Sequence, residues 1–185
     1  MTDAIKRIID GVIEVEGGFV DHPSDPGGAT RSGITDRVAR AAGYRGAMRE
    51  LPRSTAFAIY WTRYVVAPNF DDVAAIDPLV AQELIDTGVN AGVDRASRWL
   101  QEALNALNSR ARDYPNVGED GDVGAATLAA LKAFKAKRGP LGTRVLLRVL
   151  DTLQGAHYAR LSDDDAKFED FAFGWFAHRI GNVAA

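Results

Sequence analysis

The chain has 185 residues, of which 46% are apolar and 25% are charged, a composition typical of a folded globular protein rather than a disordered or fibrous one. It contains no cysteine, so disulfides, thiolate metal sites and a cysteine nucleophile are excluded. A net charge of −3 argues against the basic surface of a nucleic-acid-binding domain. Any catalysis is therefore expected to use carboxylates, hydroxyls, lysines or the three histidines.

The sequence predicts neither a membrane span nor a secretory signal. The longest apolar run, at residues 145–150, is interrupted by Arg148. Asp10, Glu14 and Glu16 lie where a signal peptide would need an uninterrupted apolar segment. We therefore expect a protein without stable membrane insertion, which stays in the cytoplasm until it is released.

In chain order, the first predicted element is an amphipathic helix. Ile5, Ile9 and Ile13 recur at the spacing of one helical face, and Gly17 is a suitable residue to end the helix. The segment from residue 17 to residue 33 is rich in Gly, Pro, Asp and Ser. It predicts an ordered irregular loop or a short β-hairpin.

The rest of the chain predicts more helices and no sustained strand pattern. Apolar spacing favours helices at about residues 35–43, 53–66, 77–90, 93–108, 123–138, 142–161 and 171–180. The polar, glycine-rich segment between Ser109 and Val123 is the best candidate for a junction. The predicted fold class is mostly α, with the Gly/Pro-rich loop or short hairpin following the first helix.

Glu16 is the most informative residue, because of its place on the first helix. At about 100° per residue it lies roughly 20° from Ile5, whereas Glu14 lies roughly 180° away. We therefore expect the Glu16 side chain to face inward and to be shielded from water. Burial and the unpaired carbonyls at a helix C-terminus both favour the protonated form, which is what a general acid needs. The alternative is a structural glutamate that pairs with an arginine or caps a loop amide.

A second carboxylate, Asp25, follows nine positions later in a glycine-rich run. Two carboxyls in different environments, one dry and one wet, are the arrangement that cleavage of a glycosidic bond requires. The plainer alternative is that an aspartate before Pro-Gly-Gly simply forms a turn.

The residues around Glu16 and Asp25 also resemble the sequence signature of a known enzyme family. The runs Glu16-Gly17-Gly18-Phe19-Val20, Asp25-Pro26-Gly27-Gly28-Ala29-Thr30 and Gly33-Ile34-Thr35 resemble the N-terminal signature of glycoside hydrolase family 108, the N-acetylmuramidases that include phage endolysins. Weaker similarity continues as far as Gly174-Trp175. The resemblance implies a lysozyme-like helical bundle with the hairpin at its active site. It further implies a lysozyme-like catalytic region at 1–92 and a helical peptidoglycan-binding-like region at 93–185, packed with the first as one compact unit.

The implied activity is bacteriolytic: hydrolysis of the β-1,4 bond between N-acetylmuramic acid and N-acetylglucosamine in peptidoglycan, without a cofactor. Glu16 would be the general acid, Asp25 would act on the other face of the sugar, and Thr30 would orient the water. A carboxyl separation of roughly 5 to 5.5 Å would give retention, and one of roughly 6.5 to 9.5 Å would give inversion.

Two further residues are candidates for substrate binding. Asn90 could hydrogen-bond an acetamido group, or it could terminate its helix. Tyr60 could stack on a sugar, or it could pack in the core with its neighbours. His157 and His178 are expected to be packed histidines, and no metal site is predicted. The aromatic residues of the segment from Phe168 to Phe176 are expected mostly to seal the core.

Two other functions stay open: a non-catalytic peptidoglycan-binding module and a lytic transglycosylase, which forms an anhydro-sugar without water. The expected partners are peptidoglycan glycan strands, together with a holin or a secretion machine for export. We expect a monomer that binds no nucleic acid.

Overall fold

The computed structural model describes residues 3–20 and 29–183, so Asp25 lies outside the described residues. The chain forms two compact units, Met1–Ala67 and Pro68–Ala185. Helices dominate both units and one small sheet accompanies them, which confirms the predicted mostly α, lysozyme-like fold class. No helix in the described ranges is both long enough and apolar enough to span a bilayer.

The first unit begins with helix α1, Asp3–Val15, whose buried stripe is the predicted one. Ile5, Ile9 and Ile13 are all less than 5% exposed. Gly17 follows with a φ of 76°, the left-handed conformation that ends helices and that favours glycine.

The hairpin follows the first helix as predicted. Strands β1 (Phe19–Val20), β2 (Thr30–Arg31) and β3 (Ile34–Thr35) form an antiparallel sheet in that order. The turn between β2 and β3 has two residues, Ser32 and Gly33, with φ values of 50° and 70°. A turn with two positive φ angles matches the twist of the strands, so it closes a tight hairpin.

Further helical segments follow in the described part of this unit. Helix α2, Asp36–Ala41, is capped by Thr35, whose hydroxyl accepts from the Val38 amide. A 3₁₀ turn at Met48–Glu50 leads to helix α3, Arg53–Trp61, which continues as a π-helical turn at Thr62–Val66. Arg53 pairs with Asp10 and Glu14 on the solvent side of α1, at 2.8 and 3.3 Å. These ion pairs fasten α3 to α1.

The described part of the second unit contains helices and no strand. Its helices are α4 (Phe70–Ile76), α5 (Pro78–Ala91), α6 (Val93–Ala106), α7 (Ala125–Asp164) and α8 (Glu169–His178), with a 3₁₀ turn at Ala166–Phe168. The sequence did not predict α4, a two-turn helix that starts after a left-handed Asn69. Helix α7 is broken at Gly139, immediately before Pro140, where two separate helices were predicted.

The segment between α6 and α7 is ordered by amide side chains of α6 and of Asn108, just after that helix. Gln101 donates to Asp120 and to the Asp122 carbonyl, at 2.8 and 2.9 Å, and accepts from the Gly121 amide. The amides of Asn105 and Asn108 donate to the carbonyls of Val117 and Tyr114 in the earlier part of the segment. The predicted junction is therefore a loop clamped to the helix that precedes it.

The C-terminal part is tied to the rest of this unit through two carboxylates, of which Asp86 is buried. Asp86 is 3% exposed and accepts from Arg179 at 2.8 Å and from Asn182 at 3.1 Å. The Gly181 amide donates to Asp151 at 2.8 Å. These bonds hold the segment after α8 in place.

The expectation for the C-terminal aromatics was wrong in part. Phe171 and Phe173 are 57% and 85% exposed, while Trp175 stacks on Tyr158 with ring centroids 4.9 Å apart. One short helix has only one buried face, so α8 cannot cover all of these rings. The predicted division into regions 1–92 and 93–185 stays a prediction, and the compact units divide the chain elsewhere, after Ala67.

Candidate active site

Glu16 lies one residue beyond α1, against the β2–β3 turn. Its amide still donates to the Val12 carbonyl at 3.0 Å, so its backbone belongs to the last helical turn. A Cβ built on Gly33 would lie 2.7 Å from Glu16 Oε2 and 2.5 Å from the Tyr60 hydroxyl oxygen. A side chain at this position would force the Glu16 carboxyl and the Tyr60 hydroxyl to move, and the position also has a positive φ. Both the turn and the neighbouring carboxyl therefore favour glycine at residue 33.

The side chain of Glu16 is exposed, which corrects the expectation of a dry carboxyl. The helical angle gave its direction correctly, since it follows the buried stripe of α1 and touches the hairpin. The helix, however, ends at Val15, so no further turn of α1 covers the Glu16 side chain. The turn covers one side of the carboxyl, and solvent reaches the other.

Tyr60 supports this turn from α3. It is 5% exposed, and its hydroxyl donates to the Ser32 carbonyl at 2.9 Å. Burial raises the pKa of Tyr60 to about 12, and the nearby charge of Glu16 contributes further. The hydroxyl therefore remains a donor at neutral pH. The ring stacks on Tyr64, with centroids 5.9 Å apart, which favours core packing over sugar stacking.

The other predicted catalytic residues are placed differently. Thr30 lies in β2, half-buried, and pairs with Val20 and Thr35 across the sheet. Asp25 falls outside the described residues, so its role stays a prediction. The structure therefore brings together Glu16, Tyr60 and the turn. The role of Ser32 was missed, although Gly33 stood in the motif that carries the resemblance.

Asn90 lies near the C-terminus of α5 with an exposed side chain. Its amide donates to the Asp86 carbonyl of the same helix at 2.7 Å, so one of its donors is occupied. A contact between Asn90 and substrate stays a prediction.

The histidines and acids give no indication of a metal centre within residues 3–20 and 29–183, where no group of three or more potential ligands was found. His157 is half-buried, with its ring 5.7 Å from that of Trp99. Burial lowers the pKa of His157, and the positive charges of Arg95 and Arg160 lower it further. This histidine therefore favours its neutral form.

Comparison with known proteins agrees with the geometry. The glycosyl hydrolase 108 family matches residues 9–92, and a family described as "Predicted Peptidoglycan domain" matches residues 95–180. Among solved structures, SagA of Brucella abortus is similar, with 28% identity and a TM-score of 0.60 over 97% of this chain and 90% of that one. No match was found among curated proteins. Residues 9–92 thus form a region that matches glycoside hydrolase family 108, and a region that matches the peptidoglycan domain follows it at residues 95–180.

Proposed function

We propose that this protein is an N-acetylmuramidase that cleaves the β-1,4 bond between N-acetylmuramic acid and N-acetylglucosamine. The observation that carries the proposal is the position of Glu16. It is the acid of the family signature, it lies at the end of α1, and its carboxyl is held against a glycine turn with its other side open to a ligand.

Glu16 acts as the general acid in this proposal. A glycan strand laid over the exposed side of the carboxyl would remove its remaining water, and loss of water favours the protonated form. The carboxyl would then give its proton to the bridging oxygen as the C1–O bond breaks and positive charge develops on the sugar ring. Desolvation by the substrate thus replaces the burial that we expected in the free protein.

Asp25 supplies the second carboxylate of the proposed reaction, and Thr30 helps to orient the water. Water adds to the anomeric carbon either directly or after a covalent sugar–enzyme intermediate, depending on the carboxyl separation. Each bond cleaved consumes one water molecule and leaves a reducing muramic acid end. No cofactor takes part.

The enzyme would act as a monomer on the cell wall, as an endolysin does, and would need a holin or a secretion machine to reach it. The family match to a peptidoglycan domain at residues 95–180 supports the wall as its substrate.

The test is the digestion of purified sacculi by wild type, Glu16→Gln and Glu14→Gln, with products identified by mass spectrometry. Glu14 is the matched control: it lies in the last turn of α1, two residues before Glu16, is exposed, and pairs with Arg53 at 3.3 Å. We expect reducing muramic acid ends from wild type and Glu14→Gln, and at least about a 100-fold loss in Glu16→Gln. Anhydro ends would indicate a lytic transglycosylase instead. Binding without fragments would indicate a non-catalytic module.

A further inference from the structure

Helix α6 carries an ordered row of three different side chains on one face. Arg95, Trp99 and Glu102 stand at positions i, i+4 and i+7, so they lie above one another on the helix surface. Seven residues of helix span about 10 Å. The row thus presents a cation, an aromatic ring and an anion in sequence over that distance.

This row lines an open groove of about 620 Å³ within the second unit. The volume is typical of a site for a small ligand. Three more charged residues line the groove, and they are already partnered. Asp94 pairs with Arg98 at 2.9 Å, Arg98 also donates to the Glu119 carbonyl, and Glu119 accepts from Asn105 at 3.0 Å.

The two ends of the row have unused binding capacity. Arg95 is exposed and donates one hydrogen bond, to the Ala91 carbonyl at 2.7 Å, and it forms no ion pair with the described part of the chain. Glu102 is exposed and makes neither a hydrogen bond nor an ion pair with residues 3–20 or 29–183. A guanidinium can hold a carboxylate with two parallel bonds, and a free carboxylate can hold an ammonium.

Between them, Trp99 is half-buried and rests edge-on against His157. The indole is therefore fixed from behind, while it lines the groove in front. A fixed ring of this kind gives an apolar floor without a large entropy cost on binding. The matching ligand has a carboxylate and an ammonium about 10 Å apart with an apolar stretch between them. A neutral sugar would use only the ring.

We propose that this groove binds the peptide stem of peptidoglycan, with Arg95 holding a stem carboxylate, Trp99 contacting the backbone between, and Glu102 holding the free amine of the diamino acid. The identification of the stem rests on the proposed function, because peptidoglycan is the polymer whose short peptides carry both groups. The groove lies in the region matched by the peptidoglycan domain, and it gives that region a role separate from the glycan chemistry at Glu16.

The test measures binding rather than activity, in the Glu16→Gln background, by calorimetry on the full chain. The titrants are stem tetrapeptides with either diaminopimelate or lysine, the same peptides with the side-chain amine acetylated, and the disaccharide without peptide. The variants are Arg95→Ala and Glu102→Gln, with Arg148→Ala as control, since Arg148 is exposed on α7 and does not line the groove.

We expect at least one tetrapeptide to bind, and we expect Arg95→Ala and Glu102→Gln to leave binding of the disaccharide unchanged. Arg95→Ala and Glu102→Gln should each weaken peptide binding by about tenfold, the loss of one charged contact. Arg148→Ala should change nothing. Acetylation should weaken binding to the parent and remove its sensitivity to Glu102→Gln, which tests that contact by itself.

The proposal is overturned if neither tetrapeptide binds, if the groove variants bind the peptides as the parent does, or if the groove variants weaken binding of the disaccharide as much as that of the peptides. The last result would make the groove a sugar site. These outcomes are independent of sacculus digestion, so failure of the muramidase proposal and failure of the peptide groove can be told apart.

Discussion

The carboxyl of Glu16 occupies the space that a side chain on Gly33 would need, since a Cβ there would lie 2.7 Å from Oε2. A helix end and a hairpin turn, 17 residues apart in the chain, thus fix each other. The turn limits the positions that the Glu16 carboxyl can occupy, and the carboxyl in turn favours glycine over larger residues at position 33.

Gly33→Ala tests this relationship. We expect about 1 to 2 kcal/mol lower stability from the positive φ, and at least about a tenfold loss of sacculus digestion because Glu16 and the Tyr60 hydroxyl must move. Gly43→Ala is the matched control, with a φ of 89° and no atom within 4 Å of the built Cβ. It should lose similar stability and keep its activity. Equal activity in the two variants would contradict the proposed constraint.

Tyr60→Phe removes the hydroxyl that holds the Ser32 carbonyl at 2.9 Å. We expect a stability loss of about 1 kcal/mol and a lower kcat with little change in KM, because the turn beside Glu16 loosens while no contact with glycan is removed. Tyr44→Phe is the comparison, since that hydroxyl also donates to a carbonyl, of Ala47, at 2.9 Å. A higher KM with kcat unchanged would instead indicate that Tyr60 contacts the substrate.

Gln101→Glu tests the clamp on the loop before α7. Gln101 is 1% exposed, and its amide nitrogen donates to Asp120, to the Asp122 carbonyl and to Thr127. A carboxylate cannot donate, and it would face Asp120, so we expect about 3 kcal/mol or more of destabilisation by chemical unfolding. Gln82→Glu, the same change at a half-buried site on α5, should cost much less. Similar losses in both variants would refute the clamp.

Glu83→Gln should alter how stability depends on pH. Burial raises the pKa of Glu83 to about 8 from the ordinary 4.5, and the charges of Asp151 and Asp86 add to the rise. Between these two pH values the folded protein keeps a proton on Glu83 that the unfolded chain releases. The contribution of Glu83 to the free energy of unfolding is therefore complete below about pH 4.5 and is lost as the pH rises through about 8. The free energy of unfolding of wild type should therefore fall by a few kcal/mol between about pH 4.5 and about pH 8, at about 1.4 kcal/mol per pH unit.

The glutamine variant should show a much smaller decline in the free energy of unfolding between pH 5 and pH 8. Glu169→Gln, on the exposed start of α8, should leave the decline as it is in wild type. If the Glu83→Gln curve runs parallel to that of wild type, the proton is not held at Glu83.

The sequence predicted those features that depend on local periodicity and turn chemistry. The isoleucine stripe of α1 and the glycine-rich hairpin follow from spacing and from backbone freedom alone. Helix α4 was missed because it is only two turns long. It also begins after Asn69, a residue type typical of loops, which here has a left-handed conformation. The exposure of Glu16 was missed because a helical angle gives a direction but not the atoms that lie in that direction.

Contacts between distant segments were the least predictable. Nothing near Tyr60 in the chain indicates that it holds Ser32, 28 residues earlier. Helical spacing in the sequence places Arg95, Trp99 and Glu102 on one face of α6. Only the structure shows that the other charged residues of the groove have partners, which leaves Arg95 and Glu102 able to bind a ligand.

Gly92 alone separates α5 from α6, two helices that pack against each other, and the two family matches divide at this point, one ending at residue 92 and the other starting at 95. A recombination event that exchanged the region from residue 93 onward would separate α6 from α5, the helix against which it packs. An engineered chimaera built on this scaffold should instead be joined near Ala67, so that α4 and α5 travel with the helices they support.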